Sequence, residues 1–381
     1  MTSDPCLVSP ALCEREFALI GDDAYLNHAA SAPLPRRSAD ALRAYAEDRQ
    51  QLCHLYQNGT FDFDVTQLRG KLARLINAAP QSIGFVATTS DGIALALNGV
   101  DWQPGDNVVM PANEYPSVRY ACEHLARRGV ELREGATPSG HLDLDTLFAA
   151  VNDRTRALTV SFVHWHTGYR ADLARIGEFC RQRGIISIVD GIQGLGACPV
   201  DVAAMPIDVL VAGTYKWLLG IPGSAVLYVA PDALGSVTPD RAGRASMATS
   251  VHATPAFVWH EDVMRYGPGA PPDPPLLVLE PSVDLLLEVG VGAIHSHTVE
   301  LTDYAAAELA GRGFTLNTNL EAEHRSSILS FTTGTADGDE TLTRSLVAQS
   351  VIVAKRGPGI RVSPHFHNSV ADIDRLLEAL P

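Results

Sequence analysis

Lysine is scarce in this chain of 381 residues: of its 29 basic residues, only Lys71, Lys216 and Lys355 are lysines. Arginine is used wherever a positive charge suffices, but it stays protonated, whereas a lysine amine can lose its proton and attack a carbonyl carbon. A lysine set among apolar residues therefore indicates chemistry rather than charge. Lys216 is such a residue, because Tyr215 and Trp217 flank it and a glycine-containing loop follows.

Other absences exclude whole classes of protein. The net charge is −15, and so acidic a chain repels phosphate backbones, which argues against nucleic-acid binding. No apolar run has the length of a membrane span, and the first residues lack the basic and apolar regions of a signal peptide. The six cysteines are scattered without a C-x-x-C pair, which predicts reduced thiols. We expect a cytoplasmic protein without a metal, a membrane or a nucleic-acid partner.

Short apolar, β-branched runs alternate with helical stretches over roughly the first two thirds of the chain. Runs that are apolar throughout indicate strands covered on both faces, so the pattern predicts an α/β fold with a mostly parallel sheet. A Pro/Gly-rich stretch then begins a smaller α+β region containing a long helix near 276–290, two strands and a closing helix. The six predicted strand runs are 83–88, 106–112, 157–164, 185–190, 208–213 and 224–230. We divide the chain into an N-terminal segment (1–50), a large domain (51–265) and a small C-terminal domain (266–381).

The carboxyl ends of these runs carry polar side chains, and open α/β sheets bind ligands at that edge. Thr88 and Thr89 directly precede a helical stretch, which suits a phosphate group and equally suits an ordinary helix N-cap. Tyr115 follows the second run, where it could stack on a planar cofactor or simply pack. Asp190 ends a buried run, and a carboxylate there needs a partner, either a protonated pyridine nitrogen or the N-terminus of a helix.

Lys216 follows a further strand end, and its apolar neighbours predict a partly desolvated amine with a lowered pKa, as Schiff-base chemistry requires. His164 and His166 have a spacing that metal ligands can have, but no carboxylate or cysteine nearby completes a site. No G-x-G-x-x-G follows a strand, which argues against a nicotinamide-dependent oxidoreductase. A phosphate cradle, an aromatic ring, a carboxylate and a lysine on one sheet edge predict an enzyme that uses pyridoxal 5'-phosphate (PLP).

Four segments resemble the class V aminotransferase family of fold-type I PLP enzymes, which includes cysteine desulfurases, kynureninases and isopenicillin N epimerases. They are YLNHAASAPLP (25–35), VDGIQGLG (189–196), TYKWLLGIPGSA (214–225) and IRVSPHFHNSVADIDRLLEAL (360–380). The resemblance implies a homodimer with shared active sites and an α-amino acid substrate. The LNH start and the IRVSPHFHN ending resemble two groups above all: isopenicillin N epimerase-like enzymes, and enzymes of bacterial secondary metabolism that process cysteine S-conjugates, such as the lincosamide-pathway pair.

Matching positions in the resemblance imply roles for individual residues. Lys216 would be the Schiff-base lysine, Asp190 the partner of the pyridine nitrogen, and Gln193 the hydrogen-bond partner of the phenolic oxygen. The resemblance further implies that Thr88, Thr89 and Tyr215 contact the phosphate and that Tyr115 stacks on the cofactor ring. Arg361 would bind the substrate carboxylate, and His28 and Ala29 would line the substrate pocket.

The chain also departs from the family pattern. Desulfurases carry a catalytic cysteine on a loop shortly before the carboxylate-binding arginine, and the corresponding stretch QSVIVAKRGPGIRV contains none, so a desulfurase is not expected. Trp165 stands where desulfurases have an asparagine. The family's Gly-Thr-Pro, whose threonine reaches the phosphate across the dimer, reads Gly-Ala-Pro (269–271) here, and Trp259 or Arg265 could replace that contact.

The motifs predict the cofactor but not the reaction, because PLP weakens several bonds at Cα and the protein determines which of them breaks. The leading hypothesis is an enzyme acting on a cysteine-derived thioether, by C–S β-elimination or by decarboxylation-coupled oxidative deamination. Lys216 would be the base at Cα, and His28, His164 or His166 could move a proton at the leaving group. The alternatives are an amino-acid epimerase, an aminotransferase or a catalytically silent PLP-fold partner protein.

Overall fold

The computed structural model describes residues 7–21, 23–51, 65–137, 140–249, 256–269 and 271–381. No helix within these ranges is both long and apolar enough to cross a membrane. The helices are α1 (Pro10–Phe17), α2 (Arg36–Gln51), α3 (Val65–Leu75), α4 (Thr89–Gly99), α5 (Pro116–Glu123), α6 (Leu144–Ala149), α7 (Leu173–Arg181), α8 (Asp273–Val289), α9 (Val291–Gly311), α10 (Ala336–Ala348) and α11 (Val370–Glu378). The strands are β1 (Ala24–Tyr25), β2 (Ile83–Val86), β3 (Asn107–Pro111), β4 (Glu131–Gly135), β5 (Thr155–Ser161), β6 (Ile186–Asp190), β7 (Val209–Gly213), β8 (Ala225–Val229), β9 (Thr315–Leu316), β10 (Leu329–Thr332), β11 (Val351–Ile352), β12 (Ala354–Lys355) and β13 (Ile360–Val362).

The central sheet has seven strands in the order β2-β8-β7-β6-β5-β3-β4. The strands from β7 to β4 pair in parallel, and β8 pairs antiparallel with both β7 and β2. Strands β3, β7 and β8 are buried along their whole length, because helices α3, α7 and α8 pack on one face of the sheet and α4 and α5 on the other. The predicted α/β fold with a mostly parallel sheet is confirmed.

All six predicted runs contain strands, with ends that differ by up to three residues. The sequence pattern does not predict β4, because this edge strand is mostly polar and only its last residue is buried. It also does not predict α9, which follows α8 after the single residue Gly290 at φ 87°.

A second, four-stranded antiparallel sheet has the order β12-β13-β10-β9 and packs with α9, α10 and α11 around a separate core. The N-terminal segment joins this region rather than the central sheet: β1 pairs in parallel with β11, and Asn27 forms a bridge to Ser363. The domain limits at 50 and 265 stay a prediction. Residues 24–29 nevertheless contact both regions, because the Ala29 carbonyl oxygen accepts a hydrogen bond from Gln193, which lies just beyond β6.

Candidate active site

A cavity of about 220 Å³ opens at the carboxyl edge of the central sheet. Strands β5, β6 and β7 end there, and the N-termini of α4 and α5 border it. Its lining includes seven of the ten predicted site residues: Thr88, Thr89, Tyr115, Asp190, Gln193, Tyr215 and Lys216. The other three, His28, Ala29 and Arg361, lie behind or beside this lining. Larger cavities exist elsewhere on the chain, but the predicted chemical groups meet here.

Lys216 and Asp190 both line this cavity and are almost fully buried, with exposed fractions of 9% and 3%. Burial lowers the pKa of Lys216 to about 8; the charge of Arg361 acts in the same direction, and Asp190 opposes it. Burial raises the pKa of Asp190 to about 6, against a 3.0 Å hydrogen bond that its Oδ1 accepts from the Ile192 N–H. An amine with a pKa near 8 is unprotonated in a useful fraction at neutral pH, which attack on a carbonyl requires.

The hydroxyl groups of the two threonines at the start of α4 accept hydrogen bonds within the protein and can still donate one to a ligand. The Thr88 Oγ1 accepts a hydrogen bond from the Asp91 N–H at 3.0 Å, and the Thr89 Oγ1 accepts one from the Gly213 N–H at 2.9 Å. Thr88 is therefore the N-cap that the alternative interpretation predicts. Each hydroxyl also has a proton that it can donate, and the helix N-terminus favours an anion. Both interpretations of these residues are compatible with the structure.

An indole donor without a partner lies above the same cavity. The Trp165 Nε1 is buried and makes no hydrogen bond, although Trp165 lines the cavity. Its ring meets the ring of Tyr115 edge-on at 5.9 Å between centroids, and Tyr115 is 42% exposed at the start of α5. An unsatisfied buried N–H costs free energy unless a ligand supplies an acceptor. Trp165 can therefore offer a hydrogen-bond donor to a ligand in the cavity.

Arg361 is a buried cation without an acidic partner. Its side chain is 2% exposed, its Nη1 donates to the Trp165 carbonyl oxygen at 2.6 Å, and its Nε has no hydrogen-bond partner. None of the ion pairs among the described residues includes it. Burial lowers its pKa to about 9, and the nearby charge of Arg356 acts in the same direction. A buried guanidinium with free donors fits a carboxylate ligand.

His28 and Ala29 lie behind the cavity wall. The carbonyl oxygen of Ala29 accepts a hydrogen bond from the Gln193 Nε2 at 3.0 Å, which connects the N-terminal segment to the cofactor side. The His28 Nδ1 lies 3.0 Å from the carbonyl oxygen of Ser363, and burial lowers the pKa of this imidazole well below its ordinary value. The histidine ring is enclosed by the rings of Tyr25, Trp217, His365 and His367. A place for His28 near the substrate stays a prediction.

The other two candidate proton donors lie outside the cavity lining. Both ring nitrogens of His164 have partners at 3.0 Å, the Thr167 Oγ1 and the Asn113 carbonyl oxygen. The Nε2 of His166 pairs with the Ser330 Oγ at 3.1 Å. Burial lowers the pKa of each histidine to about 4, so both are neutral at physiological pH. These contacts favour a packing role.

The suggested substitutes for the missing phosphate threonine do not reach the cavity within this chain. Arg265 donates from Nε to the His260 carbonyl oxygen and from Nη1 to the Leu234 carbonyl oxygen, at 2.8 and 2.9 Å. Trp259 forms an isolated β-bridge with Met247. Ala270, the residue in the threonine's place, lies outside the described residues. A contact from a second subunit stays a prediction.

Glu114 is a site residue that the sequence pattern does not single out. Its carboxylate is buried and accepts hydrogen bonds from the backbone N–H and the hydroxyl of Ser161, both at 2.6 Å, and from the Tyr115 N–H at 3.2 Å. Burial raises its pKa to about 7 despite these bonds, and the neighbouring charge of Asp190 raises it further. Glu114 therefore fixes two residues of the cavity wall. Its position just beyond the carboxyl end of the apolar strand β3 is the signal that could have identified it.

The raised pKa of Glu114 predicts a pH-dependent stability that Glu114→Gln removes. An acid whose pKa is 4.5 unfolded and about 7 folded stabilises the fold below pH 4.5, and this contribution is lost as the pH rises through 7. Relative to the variant, the wild-type apoprotein should lose about 2–3 kcal/mol of unfolding free energy between pH 5 and 8. Urea unfolding across this range measures it, with Glu340→Gln on the surface of α10 as the control. Parallel curves for wild type and Glu114→Gln would contradict the assignment.

The model of the family "Aminotransferase class-V" matches residues 24–376, and the chain belongs to the class V aminotransferases. These enzymes depend on PLP, so PLP is the cofactor of this chain. The cavity fits that group on structural grounds: it offers a buried carboxylate for a pyridine nitrogen, an amine of lowered pKa, hydroxyl donors at a helix N-terminus and an unpartnered indole N–H.

Curated relatives and solved structures agree with the family and the fold. Isopenicillin N epimerase of Streptomyces clavuligerus is 28% identical over 378 residues, 93% of each chain. Cysteine desulfurase of Salmonella newport (strain SL254) is 31% identical over 300 residues, 75% of this chain and 72% of the relative. A mutant of C-DES with glycine covalently linked to its PLP cofactor superposes with a TM-score of 0.88 at 22% identity, over 96% of this chain and 98% of that one. The predicted fold type I is confirmed.

Proposed function

We propose that this chain cleaves the C–S bond of a cysteine S-conjugate. The observation that carries the proposal is the proximity of an amine with a pKa near 8, at the edge of the central sheet, to a buried guanidinium on β13 that lacks an acidic partner. Such a pair can hold an α-amino acid by its carboxylate and take a proton from its Cα. The balanced reaction is S-conjugate plus water giving thiol, pyruvate and ammonia.

PLP, when bound, withdraws electrons from the Cα of an amino acid and so weakens the bonds to that carbon. The cavity residues would hold it with Asp190 at the pyridine nitrogen, Gln193 at the phenolic oxygen and Thr88 at the phosphate. Arg361 would orient the substrate through its remaining guanidinium donors. Lys216 would accept the Cα proton, after which the electron pair left on Cα expels the sulfur from Cβ.

The fate of the sulfur separates this proposal from a cysteine desulfurase. No cysteine occurs in the loop before Arg361, so that loop has no thiol to receive the sulfur. Burial raises the pKa of Cys180 and of Cys198 to about 12, and these thiols are protonated and unreactive. One solved structure of similar fold is named a complex of "the cystine C-S lyase C-DES" with cysteine persulfide, at a TM-score of 0.87 and 22% identity. A protein of similar fold that is described as a C–S lyase supports the proposal that this chain cleaves a C–S bond.

A product screen tests the proposal directly. Purified enzyme loaded with PLP is incubated with cystine, S-methylcysteine, S-benzylcysteine and larger cysteine thioethers, and products are identified by mass spectrometry. Pyruvate, ammonia and the released sulfur compound are expected in equal amounts; this compound is a thiol from the thioethers and cysteine persulfide from cystine. An aldehyde with CO₂ would indicate decarboxylation-coupled oxidative deamination instead, and a keto acid that retains the thioether would indicate an aminotransferase. Either outcome overturns the proposal.

Epimerisation at Cα is the second candidate, because the isopenicillin N epimerase similarity covers 93% of both chains. It shares the removal of the Cα proton by Lys216 but returns a proton to the opposite face. Chiral chromatography after incubation in deuterium oxide distinguishes the two reactions: a deuterated D-amino acid supports epimerisation, and pyruvate supports elimination.

We also propose the homodimer with shared active sites that the family resemblance implies. Tyr115, which directly precedes α5, is partly exposed, and Tyr120 within α5 is 65% exposed, so two aromatic rings beside the cavity are available to a second copy. Light scattering coupled to size-exclusion chromatography measures the assembly. A bacterial secondary-metabolic setting remains part of this proposal.

A further inference from the structure

The side-chain amide of Gln193 is held at both ends. Its Nε2 donates to the Ala29 carbonyl oxygen at 3.0 Å, and its Oε1 accepts from the Trp217 Nε1 at 3.0 Å. An indole N–H can only donate and a backbone carbonyl can only accept, so together these contacts admit one orientation of the amide. The second hydrogen on Nε2 then remains as the group that Gln193 can offer to the cavity it lines.

Trp217 is itself held firmly. Its side chain is fully buried, and its carbonyl oxygen is the partner of the His365 Nε2 at 3.3 Å. The His365 Nδ1 accepts a hydrogen bond from the Phe366 N–H at 2.8 Å, so Nε2 carries the proton and donates to Trp217. A Cβ at Gly196 would lie 2.4 Å from the same carbonyl oxygen, so only glycine permits this approach. The backbone of Trp217 is therefore held in place, and burial confines its indole ring.

We propose that Trp217 is a positioning residue, which orients the Gln193 amide so that a hydrogen-bond donor, and not its carbonyl oxygen, faces the phenolic oxygen of PLP. The inference rests on the proposed role of Gln193 and is independent of which reaction the enzyme catalyses. A donor at the phenolic oxygen stabilises its negative charge, and this disfavours protonation of the cofactor chromophore. Without the indole N–H, only the hydrogen bond to the Ala29 carbonyl oxygen still favours this orientation, so an amide rotated to present its oxygen to that negative charge becomes less unfavourable.

The test is a pH titration of the visible absorbance of the resting holoenzyme, without substrate. Trp217→Phe should raise the apparent pKa of the chromophore by about 0.5–1 unit, in the same direction as Gln193→Ala. Because Trp217 acts through Gln193, the double variant should shift no further than Gln193→Ala alone. Trp102→Phe is the matched control, since Trp102 is a buried tryptophan whose Nε1 donates to the Leu97 carbonyl oxygen in the core on the α4 side of the sheet.

Each outcome decides one step. If Gln193→Ala leaves the chromophore pKa unchanged, the contact between Gln193 and the phenolic oxygen is wrong. If Gln193→Ala shifts it but Trp217→Phe does not, or if the two shifts add, Trp217 does not position the amide. Should Trp217→Phe fail to fold, site-specific incorporation of β-(3-benzothienyl)alanine at position 217 keeps the shape of the indole and removes only the N–H. The same shift is then expected, and its absence overturns the proposal.

Discussion

Lys216→Ala is expected to lower kcat by about 10³-fold or more, because the substitution removes the residue that we propose as both the covalent anchor of the cofactor and the base at Cα. The visible absorbance that depends on the lysine should disappear, and borohydride should no longer fix the cofactor to the chain. Steady-state kinetics and mass spectrometry of borohydride-treated protein measure these effects. The burial of Lys216 and its lowered pKa are the reasons for choosing this residue.

Lys71 and Lys355 are the only other lysines of the chain, so substituting each of them tests every alternative lysine. Lys71 forms ion pairs at 2.8 Å with Glu280 and Asp284, which join α3 to α8, so Lys71→Ala should affect stability slightly and leave the absorbance intact. Lys355→Ala should do the same. If Lys216→Ala kept the absorbance and the rate while either control lost them, the identification of the active-site lysine would be wrong.

Arg361→Ala is expected to lower kcat/KM by roughly 10²–10³-fold, because truncating one partner of a buried, hydrogen-bonded charge pair costs about 2–5 kcal/mol. The loss should appear mainly in KM, and the absorbance of the resting enzyme should keep its shape, since Arg361 lies outside the cofactor lining. A cysteamine S-conjugate, which lacks the carboxylate, should bind wild type and variant equally poorly. This comparison assigns the loss to the carboxylate rather than to the general state of the pocket.

Arg325→Ala is the matched control for Arg361→Ala. Arg325 is also 2% exposed, but it pairs with Asp303 and donates to the Thr302 hydroxyl, away from the cavity. Its loss should lower the midpoint of thermal unfolding without a specific effect on KM. A KM for Arg361→Ala equal to that of the wild type, with a stability loss like that of Arg325→Ala, would show that Arg361 is structural.

The sequence predicts the central sheet well for a physical reason. Strands buried on both faces must be apolar throughout, and the runs that form β3, β6, β7 and β8 can hardly be anything else. Residues that directly follow such strands meet at one edge, which is why the strand pattern alone groups Asp190 with Lys216. Strand β4 escapes prediction because an edge strand can be polar.

The parts of the site that sequence reasoning missed depend on contacts between distant segments. The buried carboxylate of Glu114 is held by hydrogen bonds from Ser161, which lies 47 residues further along the chain at the end of a neighbouring strand. The orientation of Gln193 depends on Ala29, which is 164 residues away. The local sequence around His164 likewise does not reveal that the Asn113 carbonyl oxygen pairs with its second ring nitrogen. Arg361 is identified only through resemblance, because an arginine on a short strand is ordinary until its burial is known.

Hydrogen bonds of the N-terminal segment connect the residues just after β13 to Gln193 in the cavity lining. Ser363 follows Arg361 by two residues, its Oγ accepts a hydrogen bond from the Ala29 N–H at 3.1 Å, and the Ala29 carbonyl oxygen in turn holds Gln193. Two hydrogen bonds thus connect the segment of Arg361, the proposed carboxylate-binding residue, to the amide of Gln193, the proposed partner of the cofactor. Such coupling is reciprocal: if binding of the substrate carboxylate strengthens the binding of the cofactor, then the bound cofactor strengthens the binding of the carboxylate by the same free energy.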